Sequence, residues 1–240
     1  MNNNDIIKYY DDSVATYVDS GINERVFHLY KKLLRLGLKK NSNVLELGCG
    51  IGTLTFLLSK YIKSGQVEAV DISPKSIEFA KQKIKPANIS FAIDDIVTYK
   101  PKIRDVDFII LFDVLEHILI ENHHDLFRNI SQSMEDHTKI IINIPNPAAI
   151  EHDRIHDPKS LQIIDQPLPI SEILSNIEKN GLALTFFETY GIWVENDYQL
   201  LVAEKKKVFK QVSLGSKRTI IQKVRNKFER IYVKLRYPFR

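Results

Sequence analysis

Apolar residues in this chain alternate between short unbroken runs and helical spacings of three and four. The runs NVLEL (Asn43–Leu47), QVEAVDI (Gln66–Ile72), Ile89–Ile93, VDFIILF (Val106–Phe112) and Lys139–Ile144 are expected as strands. VDFIILF lacks polar alternation after Asp107, which predicts burial on both faces, the mark of an interior parallel strand. Amphipathic stretches separate the runs and predict helices over Thr53–Lys63, Pro74–Ile84, Asp125–Met134 and Ile170–Asn180. An earlier one spans Asn23–Leu38, with Val26, Leu29, Leu33 and Leu36 near one face. Ser73 and Pro74 provide an N-cap and a preset first position, and Gly181 a C-terminal stop. Leu182–Thr189 and Gln199–Glu204 are expected to pair as final strands. Strand–helix alternation of this kind implies a doubly wound α/β fold, a largely parallel sheet between helical layers.

The 240 residues, 44% of them hydrophobic, suit one substantial domain with an appendage. Composition breaks near Glu204. From Lys205 to Arg240, thirteen Lys and Arg stand against Glu229 alone, a net +12; the rest holds 21 basic and 29 acidic residues, a net −8. The expected domains are therefore 1–204, with 1–40 as an N-terminal cap, and a basic tail, 205–240. In Thr219–Phe239, Ile220, Val224, Phe228, Ile231 and Leu235 form one helical stripe. Lys223, Arg225, Lys227, Arg230, Lys234 and Arg236 flank it or fill the other face, and Tyr232, Tyr237 and Phe239 gather near Pro238. Such a helix can lie in an anionic membrane interface, dock on the acidic body or a second subunit, or hold phosphates. Phosphate binding needs no apolar stripe, so nucleic acid is disfavoured. The single Cys49 excludes an internal disulfide, and neither a transmembrane run nor a secretory pattern is seen. A cytoplasmic protein is expected, with attachment at the inner face of the membrane open through the tail.

Candidate chemistry centres on LELGCGIGTL, Leu45–Leu54. Gly48, Gly50 and Gly52 follow the first strand, where missing side chains let a ligand approach the backbone. A dinucleotide loop, G-x-G-x-x-G, would place its third glycine where Thr53 stands. Charge is the stronger argument. A pyrophosphate beside Glu46 meets like charge, whereas the sulfonium and ammonium of S-adenosylmethionine are attracted. Asp71, ending the second strand, is placed to accept two ribose hydroxyls from either ligand. Cys49 has no base nearby and reads as a small filler.

Four stretches in order, NVLELGCGIGTLTFLL, VEAVDIS, ISFAIDDI and VDFIILFDVLEHI, resemble the class I S-adenosylmethionine-dependent methyltransferases, over roughly Asp5 to Glu204. The resemblance implies a seven-stranded, mostly parallel Rossmann-like sheet with one strand inserted antiparallel and an N-terminal helical cap. It implies that Glu46, Gly48, Gly50 and Gly52 surround the methionyl part, with Glu46 reaching its ammonium. Asp71 would hold the ribose and Ile72 lie against the adenine. Asp95 would accept from the adenine amino group beside the Ile96 backbone, and Phe112 and Asp113 would line the sulfonium side. From the residues alone, Asp95 and Asp113 could also cap turns.

A hydroxyl acceptor loses a proton on methylation, a task suited to histidine. His117, in DVLEHI, is the first candidate, as base or as a structural residue capping its turn; were Asp113–Ile118 helical, Asp113 would share its face and orient it. The second is His156 in NIPNPAAIEHDRIHD, where Pro145 and Pro147 predict an extended exit forming a lid. Arg154 and His156 match an Arg-x-His element of the family and are expected to meet substrate. His152 and His156 stand at i, i+4 but lack an evident third ligand, so no metal is expected. His123 and His124 are expected in an exposed polar loop. YYDDSVATYVDSGINER resembles the Tyr/Asp-rich cap of small-molecule members; of Tyr9, Tyr10 and Tyr17, one is expected over the cofactor and two in packing. The expected function is methyl transfer to a small-molecule or glycan-like acceptor at oxygen, with a homo-oligomer open. The rivals are an RNA or protein methyltransferase docking through the tail, and a non-catalytic scaffold.

Overall fold

The computed structural model describes residues 3–209, 211 and 219–237. These divide into two compact units, Met1–Lys206 and Lys207–Arg240. The first opens with helices α1 (Asn3–Ser20) and α2 (Glu24–Arg35). Strands and helices then alternate: β1 (Val44–Leu47), α3 (Thr53–Tyr61), β2 (Val67–Asp71), α4 (Pro74–Lys83), β3 (Ile89–Ile93) and β4 (Phe108–Phe112). A 3₁₀ turn, Leu115–His117, leads into α5 (Ile120–Ser133) and β5 (Lys139–Pro145). Helices α6 (Pro147–His156) and α7 (Ile170–Lys179) precede β6 (Leu182–Tyr190) and β7 (Tyr198–Lys205).

Seven strands lie in the order β3-β2-β1-β4-β5-β7-β6. The first five run parallel, and β7 is inserted antiparallel between β5 and β6. This is the seven-stranded, mostly parallel sheet with one antiparallel insertion that the resemblance implies. Val44 pairs with Val67 on one side of β1 and with Phe108 on the other. The chain thus reverses direction across the sheet between β1 and β4, which opens a crevice at their carboxyl ends. Alternate residues of β4 serve opposite layers. Ile109 and Leu111 pack with Leu126 and Phe127 of α5 and Ile173 of α7, while Phe108 and Ile110 pack with Leu33 of α2 and Leu58 of α3. Burial on both faces is why this run carries no polar alternation.

Two expectations are corrected here. Helix α5 starts at Ile120, not Asp125, and His123 is fully buried, its Nε2 within 2.9 Å of the Ile118 carbonyl. His123 lies three and four residues before the core residues Leu126 and Phe127, so the helix turns it to the same face. The segment after β5 is a helix and not an extended lid. Asn146 accepts from the Ala148 amide as N-cap, and Pro147 occupies the first position, where its fixed φ favours helix entry. Helix α8 (Ile220–Arg236) is the helix described in the second unit and begins with a capping box between Thr219 and Gln222. Pro238 and Phe239 lie outside the described residues.

Candidate active site

At the carboxyl ends of β1, β2 and β4 lies a cavity of about 300 Å³. Its floor is the glycine loop. The amides of Gly48 and Cys49 both donate to the Val70 carbonyl, at 2.8 and 3.0 Å, and the Gly50 amide donates to Asp71 Oδ2 at 2.7 Å. All three glycines have positive φ, for three different surroundings. A Cβ at Gly48 would sit 2.4 Å from Val114 Cγ2, and one at Gly52 3.0 Å from the Ala80 methyl. A Cβ at Gly50 would meet nothing within 4 Å, so that position faces open space.

Of the ten residues that the sequence nominates for the cofactor, nine line this cavity: Glu46, Gly48, Gly50, Asp71, Ile72, Asp95, Ile96, Phe112 and Asp113. Gly52 is not among them; it lets the loop close against α4. Glu46 is buried, and its Oε2 accepts from Thr55 Oγ1 at 2.6 Å. Burial pushes its carboxyl from the usual 4.5 up to about 8, with Thr55 opposing the shift. Asp71 accepts from the Gly50 and Ser73 amides, yet burial still raises its pKa. Asp95 Oδ1 accepts from the Val97 amide at 2.9 Å.

The cavity is roofed by α1 and by the loop before α7. Tyr10 and Tyr17 line it, so two of the three tyrosines meet the cavity where one was expected. Asp11 secures the roof by accepting from Ser73 Oγ (2.6 Å) and the Lys75 amide (3.1 Å) at the start of α4.

His117 lines the cavity, whereas His156 does not. His156 is exposed on α6, its Nδ1 2.9 Å from the His152 carbonyl and its ring stacked on His152 at 4.1 Å. Arg154 is also exposed, donating to the Asp165 carbonyl at 2.8 Å. Helix formation is the cause, since the i, i+4 spacing turns both histidines outward together. Among the described residues, no group of three His, Cys, Asp or Glu is placed to hold a metal.

The carboxylate partner of His117 Nδ1 is Asp165, not Asp113, and Nε2 lies 3.8 Å from Glu116 Oε1. The Nδ1 atom lies 2.5 Å from the Ile164 carbonyl and 3.2 Å from Asp165 Oδ1. Both neighbours are acceptors, so Nδ1 carries the proton and Nε2 keeps its lone pair. Burial lowers the imidazole pKa, with Asp165 opposing, which favours the neutral form. Asp113 sits at φ 54°, outside helical backbone, and only Leu115–His117 form a 3₁₀ turn, so Asp113 and His117 do not share a helical face. Asp113 pairs instead with Arg25 of α2 at 3.1 Å and accepts from Asn143 Nδ2 at 2.8 Å. Beside them Glu116 is 1% exposed with neither carboxyl oxygen hydrogen-bonded; burial, reinforced by Asp113 and Asp165, pushes it well up toward the neutral acid. Arg25, Thr55 and Glu116 lie within the stretches that carry the resemblance but without a role in it, and Asp165 lies outside them; the fold brings all four to the site.

Residues 44–137 match the family described as a methyltransferase domain. The solved magnesium protoporphyrin IX methyltransferase of Synechocystis PCC 6803, with bound S-adenosylhomocysteine, superposes with a TM-score of 0.67 at 17% identity, covering 85% of this chain and 99% of that one. The central part of the chain is similar to the methyltransferase domain family, and its fold is the class I methyltransferase fold. The N-methyltransferase NodS of Bradyrhizobium japonicum shares this methyltransferase fold at TM-score 0.63 and 18% identity, over 83% of this chain and 100% of that one. Among curated relatives, a malonyl-[acyl-carrier protein] O-methyltransferase of Ilyobacter polytropus is 36% identical over 67 residues, 28% of this chain and 25% of the relative. The (S)-coclaurine N-methyltransferase of Papaver somniferum is 29% identical over 131 residues, 53% of this chain and 35% of its own. The chain therefore matches only about a quarter to a third of these curated relatives' lengths.

Proposed function

We propose that this chain transfers a methyl group from S-adenosylmethionine to a small-molecule or glycan-like acceptor, at oxygen. The observation that carries the reading is His117. A neutral imidazole, anchored at Nδ1 by Ile164 and Asp165, shares a cavity with the glycine loop and its acids. Bound S-adenosylmethionine supplies an electrophilic methyl on a sulfonium. The residues fit it: Glu46 provides negative charge for a cationic ligand, Gly50 leaves open space over the loop, and Asp71 has lone pairs left for hydroxyls. His117 Nε2 then takes the acceptor's hydroxyl proton while the walls align the reactants. Relatives that methylate different acceptor types, by name at oxygen and at nitrogen, are consistent with a shared cofactor half and a divergent acceptor half. Incubating the protein with labelled S-adenosylmethionine and a metabolite and lipid extract should yield a labelled product and S-adenosylhomocysteine. No product from any fraction, together with no calorimetric binding of the cofactor, would overturn the reading.

Asp71→Ala should weaken S-adenosylmethionine by about 1–3 kcal/mol, roughly 5- to 150-fold, since it removes ligand contacts and releases the Gly50 amide. Unchanged affinity in titration calorimetry would move the ribose elsewhere.

Glu46 gives the binding a pH signature. Ionised, it attracts a cation; protonated, it does not. Affinity should therefore rise as pH climbs toward about 8 and then level off, and Glu46→Gln should flatten that dependence. Stability runs the other way. The folded carboxyl holds a proton that the unfolded chain releases, so this group's contribution falls as pH rises from 4.5 to about 8. An affinity that stays flat from pH 6 to 8 in the wild type would separate Glu46 from the ligand's charge.

A further inference from the structure

Helix α8 has 17 residues, about 25 Å of helix, and none of them is buried. Its apolar side chains are open: Ile220 is 79% exposed, Phe228 68% and Leu235 78%. At about 100° per residue, Ile220, Ile221, Val224, Phe228, Ile231 and Leu235 share one sector about 100° wide. The arrangement of charge around that sector carries the argument. Lys227, Lys234, Lys223 and Arg230 border it on one side, and Arg225 and Arg236 on the other. The middle of the polar face holds Glu229, Gln222 and Asn226. Arg225 is drawn toward Glu229 at 3.6 Å, and Arg236 donates to the Tyr232 hydroxyl at 2.7 Å. Val233 is the one apolar residue among the polar positions.

A helix built to hold phosphates places its cations at the centre of the polar face, where this one carries an acid and two amides. Cations along both borders of an apolar sector match a lipid–water interface instead. The apolar face enters the acyl boundary, and Lys and Arg stems extend outward to the headgroups. Six basic residues against Glu229 select a negatively charged surface. The capping box and the Glu229–Arg225 pair support the helix locally. No described helix is long and apolar enough to cross a membrane, so the contact is interfacial. We propose that α8 is an amphipathic anchor that seats this enzyme on an anionic bilayer surface.

The test uses the full-length protein and vesicles of phosphatidylcholine with and without about 30% phosphatidylglycerol. Co-sedimentation should occur with the anionic vesicles, fall several-fold in neutral ones, and weaken as salt is raised. Phe228→Glu with Leu235→Glu should abolish it while leaving the thermal transition of the body in place. Each of Lys227→Ala and Lys234→Ala should weaken it about fivefold, from roughly 1 kcal/mol per basic residue at such a surface. Protein remaining in the supernatant at low salt with anionic vesicles would overturn the anchor. So would salt-sensitive binding to RNA that survives the double glutamate variant, or a self-association that this variant removes without any lipid dependence.

Discussion

His117→Asn is expected to lower turnover about 10²- to 10⁴-fold while cofactor affinity and thermal stability stay near wild type. Asparagine keeps a short N–H donor for the Ile164 carbonyl, so the loop that carries Asp165 retains its anchor. What it lacks is the basic nitrogen corresponding to Nε2. The two roles of the imidazole are thereby separated. In the wild type, burial lowers the His117 pKa below its usual 6.5, so the acid limb of the turnover profile should lie under that value. Below it the ring is protonated and cannot take a proton; above it the rate levels off. Asp165→Asn removes the charge that favours the imidazolium and should move the limb further down. Single-turnover rates across pH 5 to 8 measure both effects. A loss of only a few-fold in His117→Asn, with the acid limb unmoved, would leave alignment of the reactants as the main source of rate and His117 as a positioning residue.

Gly48→Ala is expected to destabilise the fold by about 2–5 kcal/mol. Left-handed backbone costs a β-carbon about 1–2 kcal/mol, and overpacking adds about 1–3. The added methyl would stand 2.4 Å from Val114 Cγ2, and Val114 leads directly into the turn that carries His117. The lesion therefore reaches the candidate base as well as the cofactor loop. At about 2–4 °C per kcal/mol for a domain of this size, the midpoint should fall by roughly 4–20 °C. Gly50→Ala is the matched comparison. It has a positive φ but no neighbour within 4 Å, so it should lose only the backbone part and instead weaken cofactor binding, because its methyl projects into the space over the loop. Equal stability losses in calorimetry for the two variants would show that contact with Val114 is not what requires glycine at position 48.

Much of this protein could be read from local patterns. Hydrophobic period, caps and turn residues act over a few neighbouring positions, so strand β4, the Ser73–Pro74 helix start and the Gly181 stop are all visible in the chain. The glycine loop and the acids at strand ends are legible for the same reason, because a parallel sheet brings strand ends to one edge whatever the loops do. Local reading fails where two patterns compete or where partners are distant. Pro145 and Pro147 read as an extended exit, yet Asn146 and Pro147 open α6, which carries His156 away from the cavity. Gly52 fits the loop's spacing, but close packing against Ala80 decides its role. Arg25 finds Asp113, and Ile164 and Asp165 find His117 across 47 or more residues, with nothing in either segment to announce the partner. A buried polar group must be paired or neutralised where it comes to rest. Which group lies within reach is decided by how the loops cross the sheet, and only the tertiary structure determines that.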